Sequence, residues 1–166
     1  AGVASYALEL MCAAPPLDTI YVPIGLGSGI CGVITVRDAL GLSTKVVGVV
    51  STEAPAYALS FAAKKVVATN SANTMADGMA VRGPDPEALD IILKGADRIV
   101  QVSDAEVTSA MRAYYEDTHQ LTEGAGAASL AALMQERDRM KGRRIGLILS
   151  GGNIDREVYL RALAGA

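Results

Sequence analysis

The chain has 166 residues, 51% of them hydrophobic and 20% charged, with a formal net charge of −3. That length suits one α/β domain with a real core. The acidic balance lacks a basic stripe and argues against nucleic acid and anionic membrane surfaces. No apolar run reaches a membrane span, and two cysteines, Cys12 and Cys31, make no disulfide or metal framework, so a cytoplasmic protein is expected.

In chain order, Ser5–Ala14 is Ala- and Leu-rich and predicts a helix stopped by Pro15 and Pro16. Thr19–Ile24 is β-branched and aromatic, a buried strand. Gly25, Gly27 and Gly29 follow, and Ile30–Leu40 predicts a helix closed by Gly41. A strand, a glycine turn and a helix N-terminus make an anion site, because the first N–H groups of a helix lack partners inside it. Lys45–Val50 reads as a second buried strand and Ala54–Lys65 as a helix. Val66–Thr69 has the look of a strand end, and Asn70–Gly83 is an aperiodic loop with functional potential. Pro86–Gly95 predicts a helix, Arg98–Val102 a strand, and Ser103 with Glu106 a capping box for the next helix. Glu123–Lys141 predicts a helix capped by Gly142, Arg144–Leu149 a last strand and Asp155–Leu163 a last helix. Alternating strands and helices imply a single α/β domain over residues 1–166, a doubly wound, mostly parallel sheet with helices on both faces.

Two ligands compete for the glycine loop. Gly27, Gly29 and Gly32 spell G-x-G-x-x-G, and Glu53 lies about 20 residues further on, the outline of a dinucleotide fingerprint. Against it stands a second glycine turn, Ser150-Gly151-Gly152-Asn153, at the end of the last strand. If both turns face one crevice, a phosphate cradle and a hydroxyl oppose each other, which suits a small phosphorylated heterocycle.

Four stretches, in order, carry a resemblance: VPIGLGSGICG, NTMADGMAV, EGAGAA and LSGGNID. With them the chain resembles the C-terminal part of a serine/threonine dehydratase of the fold-type II pyridoxal-phosphate-dependent family, over nearly its whole length. The resemblance implies the large-domain part of the tryptophan-synthase-beta-like fold and pyridoxal 5'-phosphate as cofactor. It implies loss of water and then ammonia from a hydroxy amino acid in an intact parent that is a homo-oligomer. It places the phosphate on Gly25, Leu26, Gly27, Ser28 and Gly29, the ring nitrogen on Ser150, and Glu123 and Gly78 along the ring. Asp77 would order its own loop. Alternatives on the same scaffold are an amino-acid racemase and a hydroxyaspartate ammonia-lyase; an NAD(P)-binding domain and a ligand-sensing, non-catalytic piece are the others.

Departures from the family pattern shape further expectations. Leu26 and Ser28 interrupt the family's glycine run, and Asn73 stands where a glutamate is common. Val50, Ala54 and Ala56 occupy the positions of a cation-binding stretch, so both its carboxylates are gone and no metal is expected there. The family's cofactor-bearing lysine has no counterpart: Lys64, Lys65, Lys94 and Lys141 sit near helix ends and Lys45 opens a strand, all suited to solvent. The chain is therefore expected to be a C-terminal fragment, inactive alone. Cys31, in the first turn after the loop, has either a lowered thiol pKa or a small core role. His119 at a helix end is expected at the surface, and the adjacent Tyr114 and Tyr115 to face apart.

Overall fold

The computed structural model describes residues 2–165. Four strands, β1 (Thr19–Pro23), β2 (Lys45–Ser51), β3 (Arg98–Val102) and β4 (Ile145–Leu147), form one sheet in the order β3-β2-β1-β4. Every pairing is parallel. Seven helices surround it: α1 (Ala4–Ala13), α2 (Ser28–Ala39), α3 (Ala56–Ala63), α4 (Pro86–Gly95), α5 (Asp104–Ala113), α6 (Gly124–Gln135) and α7 (Arg156–Ala164).

Strand periodicity divides the core in two. Ile20 and Val22 of β1, with Val46 and Val50 of β2, meet Ile30, Val33 and Ile34 of α2 and Leu89 and Ile92 of α4. Tyr21, Val47 and Val49 project to the other face and meet Val107 and Met111 of α5, α6, and Tyr159 of α7. Both faces are covered, as a parallel sheet requires. Nearly every residue of α6 from Gly124 to Ala132 is buried, and nearly all are Gly, Ala or Ser, so this helix lies close against the sheet. Ser129 satisfies its buried hydroxyl by donating to the carbonyls of Tyr21 and Ile148, both at 3.1 Å.

The sequence expectations hold for most elements and fail at particular boundaries. The Ser103 hydroxyl accepts from the Glu106 N–H while the Glu106 carboxylate accepts from the Ser103 N–H, completing the capping box. Val66–Thr69 is not a strand: the Ser60 hydroxyl accepts the Val67 N–H and donates to the Val67 carbonyl, taking the place of a ladder. The helix expected to run to Lys141 stops at Gln135, and the last strand shrinks to Ile145–Leu147. Lys64 is not in a last turn but is itself the C-cap, with φ 54°. A π-helical turn, Tyr114–Thr118, extends α5 and ends on His119 at φ 55°. His119 is exposed. Tyr114 packs on the core while Tyr115 meets the Tyr159 ring edge-on at 6.2 Å. Among the described residues, no helix is long and apolar enough to cross a membrane.

Candidate functional site

The strand order creates the site. From β1 the chain winds outward through β2 to β3, then returns across the sheet to lay β4 on the other side of β1. Loops leaving β1 and β4 therefore part in opposite directions, and a crevice opens at their carboxyl ends. A cavity of about 830 Å³ lies there. Gly25, Leu26, Gly27, Ser28, Gly29, Gly78, Glu123 and Ser150 all line it. Four segments far apart in sequence are thus brought together.

The glycine loop is anchored at both ends and free between them. The Ile24 N–H bonds the Val49 carbonyl and the Cys31 N–H bonds the Gly27 carbonyl. None of the N–H groups of Gly25, Leu26, Gly27, Ser28 or Gly29 finds an acceptor among the described residues. Five free main-chain donors at the N-terminal end of α2 suit a phosphate monoester, which is dianionic and has no need of a cationic side chain where the helix dipole serves. Two glycines are required by geometry. Gly27 has φ +101°, and a Cβ on it would lie 2.8 Å from Ala88 Cβ. A Cβ on Gly25 would lie 2.4 Å from the Gly78 carbonyl oxygen. Leu26 does not close the cradle: it is 69% exposed, and its carbonyl is tied back elsewhere.

That tie is Tyr57, which the sequence reading missed. Its hydroxyl donates to the Leu26 carbonyl at 2.7 Å and accepts the Asp85 N–H at 3.2 Å, so one buried phenol joins the glycine loop to the start of α4. Burial holds its pKa above the ordinary tyrosine value. Tyr57→Phe leaves a carbonyl and an N–H unpaired beside the loop. We expect a loss of about 1–3 kcal/mol in urea unfolding and a several-fold weaker phosphate affinity by titration calorimetry. Unchanged affinity would show that the loop holds its shape without the phenol.

The opposite wall is set by a second missed residue, Asp104. Its carboxylate accepts from the Thr74 hydroxyl and from the Met75 N–H, pinning the segment that turns at Asp77–Met79. Asp77 accepts from the Gly78 N–H at 2.8 Å and so orders its own loop. Glu123, the N-cap residue of α6, donates its N–H to the Gly151 carbonyl at 3.1 Å. Its carboxylate lies so close to Gly151 that a Cβ there would sit 2.7 Å from Oε1.

Other candidates fall away from the cavity. Glu53 is exposed at the end of β2 and does not line it. Cys31 packs against the core, its thiol 3.6 Å from the Ala88 carbonyl, and burial followed by the nearby Asp85 pushes its pKa up rather than down. No lysine lines the cavity; Lys64, Lys65, Lys94 and Lys141 are exposed, and Lys45 pairs with Asp97.

Comparison with known proteins places the chain in a family. A family described as pyridoxal-phosphate dependent enzyme matches residues 1–151. The L-threonine ammonia-lyase of Thermotoga maritima is 32% identical over 93% of this chain and 38% of its own length. The L-threo-3-hydroxyaspartate ammonia-lyase of a Pseudomonas is 31% identical over 99% of this chain and 52% of its own. Among solved structures, maize serine racemase superposes with a TM-score of 0.89 at 30% identity, covering 98% of this chain and 51% of the other. The chain spans about half or less of the length of these relatives.

Proposed function

The chain belongs to the pyridoxal-phosphate dependent enzyme family, and from that premise we propose that it forms the phosphate- and ring-holding wall of a cytoplasmic ammonia-lyase acting on a hydroxy amino acid. One observation carries the reading: five unpaired main-chain N–H groups at a helix N-terminus share a cavity with the Ser150 hydroxyl. The residues fit the cofactor. Neutral donors and a helix dipole suit its phosphate, and the close approach of Gly25 to the Gly78 carbonyl keeps side chains out from between the walls.

In this reading the N–H groups of Gly25 to Gly29 hold the phosphate, and Tyr57 keeps the loop in shape. Ser150 bonds the ring nitrogen through a neutral oxygen and adds no counter-charge. Gly78 and Glu123 confine the ring between the two walls. When bound, pyridoxal phosphate supplies the electron-withdrawing system that stabilises negative charge at the substrate Cα. Since no lysine of the described residues lines the cavity, we assign the cofactor-bearing amine to a separate segment of a homo-oligomeric parent.

The test adds pyridoxal phosphate, reduces with borohydride and maps labelled lysines, with ammonia release from serine and threonine assayed in parallel. We expect phosphate-competitive binding that weakens a few-fold in Ser150→Ala, one hydrogen bond being worth about 0.5–1.5 kcal/mol. No single lysine among Lys45, Lys64, Lys65, Lys94 and Lys141 should be labelled stoichiometrically. Ammonia should appear only when a separately made partner segment carrying the lysine is present. Stoichiometric labelling of one of the five, together with turnover by this chain alone, would overturn the assignment.

A further inference from the structure

A second cavity lies at the opposite end of the sheet, where β1, β2 and β3 begin. It measures about 430 Å³, within the roughly 300–1,000 Å³ typical of small-molecule sites. Thr19, Lys45 and Arg98, the first residues of those three strands, form its floor, and Arg139 and Arg143 from the turn after α6 form its wall. Four of its lining residues are cations and only one, Asp18, is an acid. With the adjoining Asp97 and Glu136, four cations face three carboxylates, an excess of one positive charge on a chain whose net charge is −3.

The neighbouring acids are already engaged by the deepest cation. Arg98 bonds Glu136 through Nε at 2.9 Å and Asp97 through Nη1 at 2.6 Å. The other three cations hold these same carboxylates, or Asp18, by single outer contacts: Lys45 to Asp97 at 3.2 Å, Arg139 to Glu136 at 3.2 Å and Arg143 to Asp18 at 3.5 Å. Their side chains are more than half exposed. Single contacts of exposed pairs are weak and exchange readily with a better partner. Three flexible cations around a cavity, two of them guanidinium forks, match the oxygens of a multivalent anion.

We propose that this cleft is a binding site for a small multivalent oxyanion, of the pyrophosphate class, separate from the glycine loop. It rests on its own residues and does not depend on the function assigned above.

The test is site-resolved. Pyrophosphate is titrated into ¹⁵N-labelled protein, with citrate and sulfate as parallel arms. Saturable amide shifts are expected at Thr19, Ser43, Lys45 and Arg143, which line the cleft, independent of any shifts at Gly25 to Gly29. Arg139→Gln with Arg143→Gln should weaken the cleft response by about tenfold or more, while the glycine-loop response and the urea midpoint stay unchanged. Single Arg143→Gln, at an exposed position, should give a smaller loss in the same direction. Pyrophosphate binding more tightly than citrate would support a phosphate ligand, and the reverse order would replace it with a polycarboxylate and overturn that class. Shifts confined to the glycine loop, a cleft response indifferent to both replacements, or equal weak binding of all three anions would overturn the site itself.

Discussion

Gly25→Ala is expected to destabilise the fold by about 1–3 kcal/mol, the range for overpacking, and to weaken phosphate or pyridoxal-phosphate binding at least tenfold. The new Cβ would lie 2.4 Å from the Gly78 carbonyl oxygen, which is main chain and cannot rotate away. Gly78 is itself closely packed, since a Cβ added to it would lie 3.0 Å from Ala125 Cβ. The segment ahead of it is held by Asp104 through Thr74 and Met75. The glycine loop must then shift, and with it the row of free N–H groups. Gly29→Ala is the control. Its Cβ would meet the Tyr6 hydroxyl at 3.3 Å, the far end of a side chain that can give by a few tenths of an ångström. Urea midpoints and cofactor titrations of the two variants check this; equal effects would mean that the Gly25–Gly78 contact is not what shapes the cavity.

Glu136→Gln should cost roughly half of the ~3–5 kcal/mol seen when a fully buried ion pair loses a partner, and should flatten the acid limb of stability. The discount follows from a Glu136 side chain that is 16% exposed and an Arg98 that retains Asp97. Burial alone would raise the Glu136 carboxyl. The hydrogen bonds from Arg98 and Tyr21 outweigh it and leave the pKa below the ordinary glutamate value. A group depressed in the folded state stabilises above its unfolded pKa, and that stabilisation is lost as pH falls through the folded value. The parent chain should therefore weaken progressively below about pH 4.5, with Asp97 and Glu106, also depressed, contributing in the same direction. Urea unfolding near neutrality and at acid pH provides the check. A gap between parent and variant that does not narrow in acid would show that the carboxylate charge is not what matters.

Local chemistry explains what could be read from the residues and what could not. The β-branched run from Thr19, the proline opening α4 and the Ser103–Glu106 box act within a few residues, so their signals lie in the string itself. The α6 boundary does not. Residues 136–141 are good helix formers, yet Glu136 is drawn to Arg98 and Tyr21 across the sheet and the helix ends before it. Cys31 shows a local rule overruled: a helix N-terminus lowers a thiol pKa, but burial against the core raises it more. Gly25 to Gly29 and Ser150 were legible because glycine-rich turns at strand ends mark them, whereas Gly78 and Glu123 came only from the family resemblance. Tyr57 and Asp104 were not legible, because each acts on main-chain groups about thirty residues away. Nothing in an alternating apolar helix distinguishes a tyrosine that holds a loop from one that fills a core.

The return of β4 to the far side of β1 also bears on how the molecule assembles. Most of the chain lies between the two lips of the crevice, and pairing β1 with β4 closes a very long loop. The stretch from β1 through β3 contains neighbours joined by shorter crossovers and can pair earlier; the strand from the other end must wait for its slot. Contacts of such high sequence separation are the slow part of folding. The cavity is therefore incomplete until late: before β4 docks, the lip that carries Ser150 is missing. A ligand that spans both lips binds only the finished fold and stabilises all of it by mass action. Bound cofactor would thus act as a latch on the last strand to arrive, slowing its departure as well as raising the melting temperature.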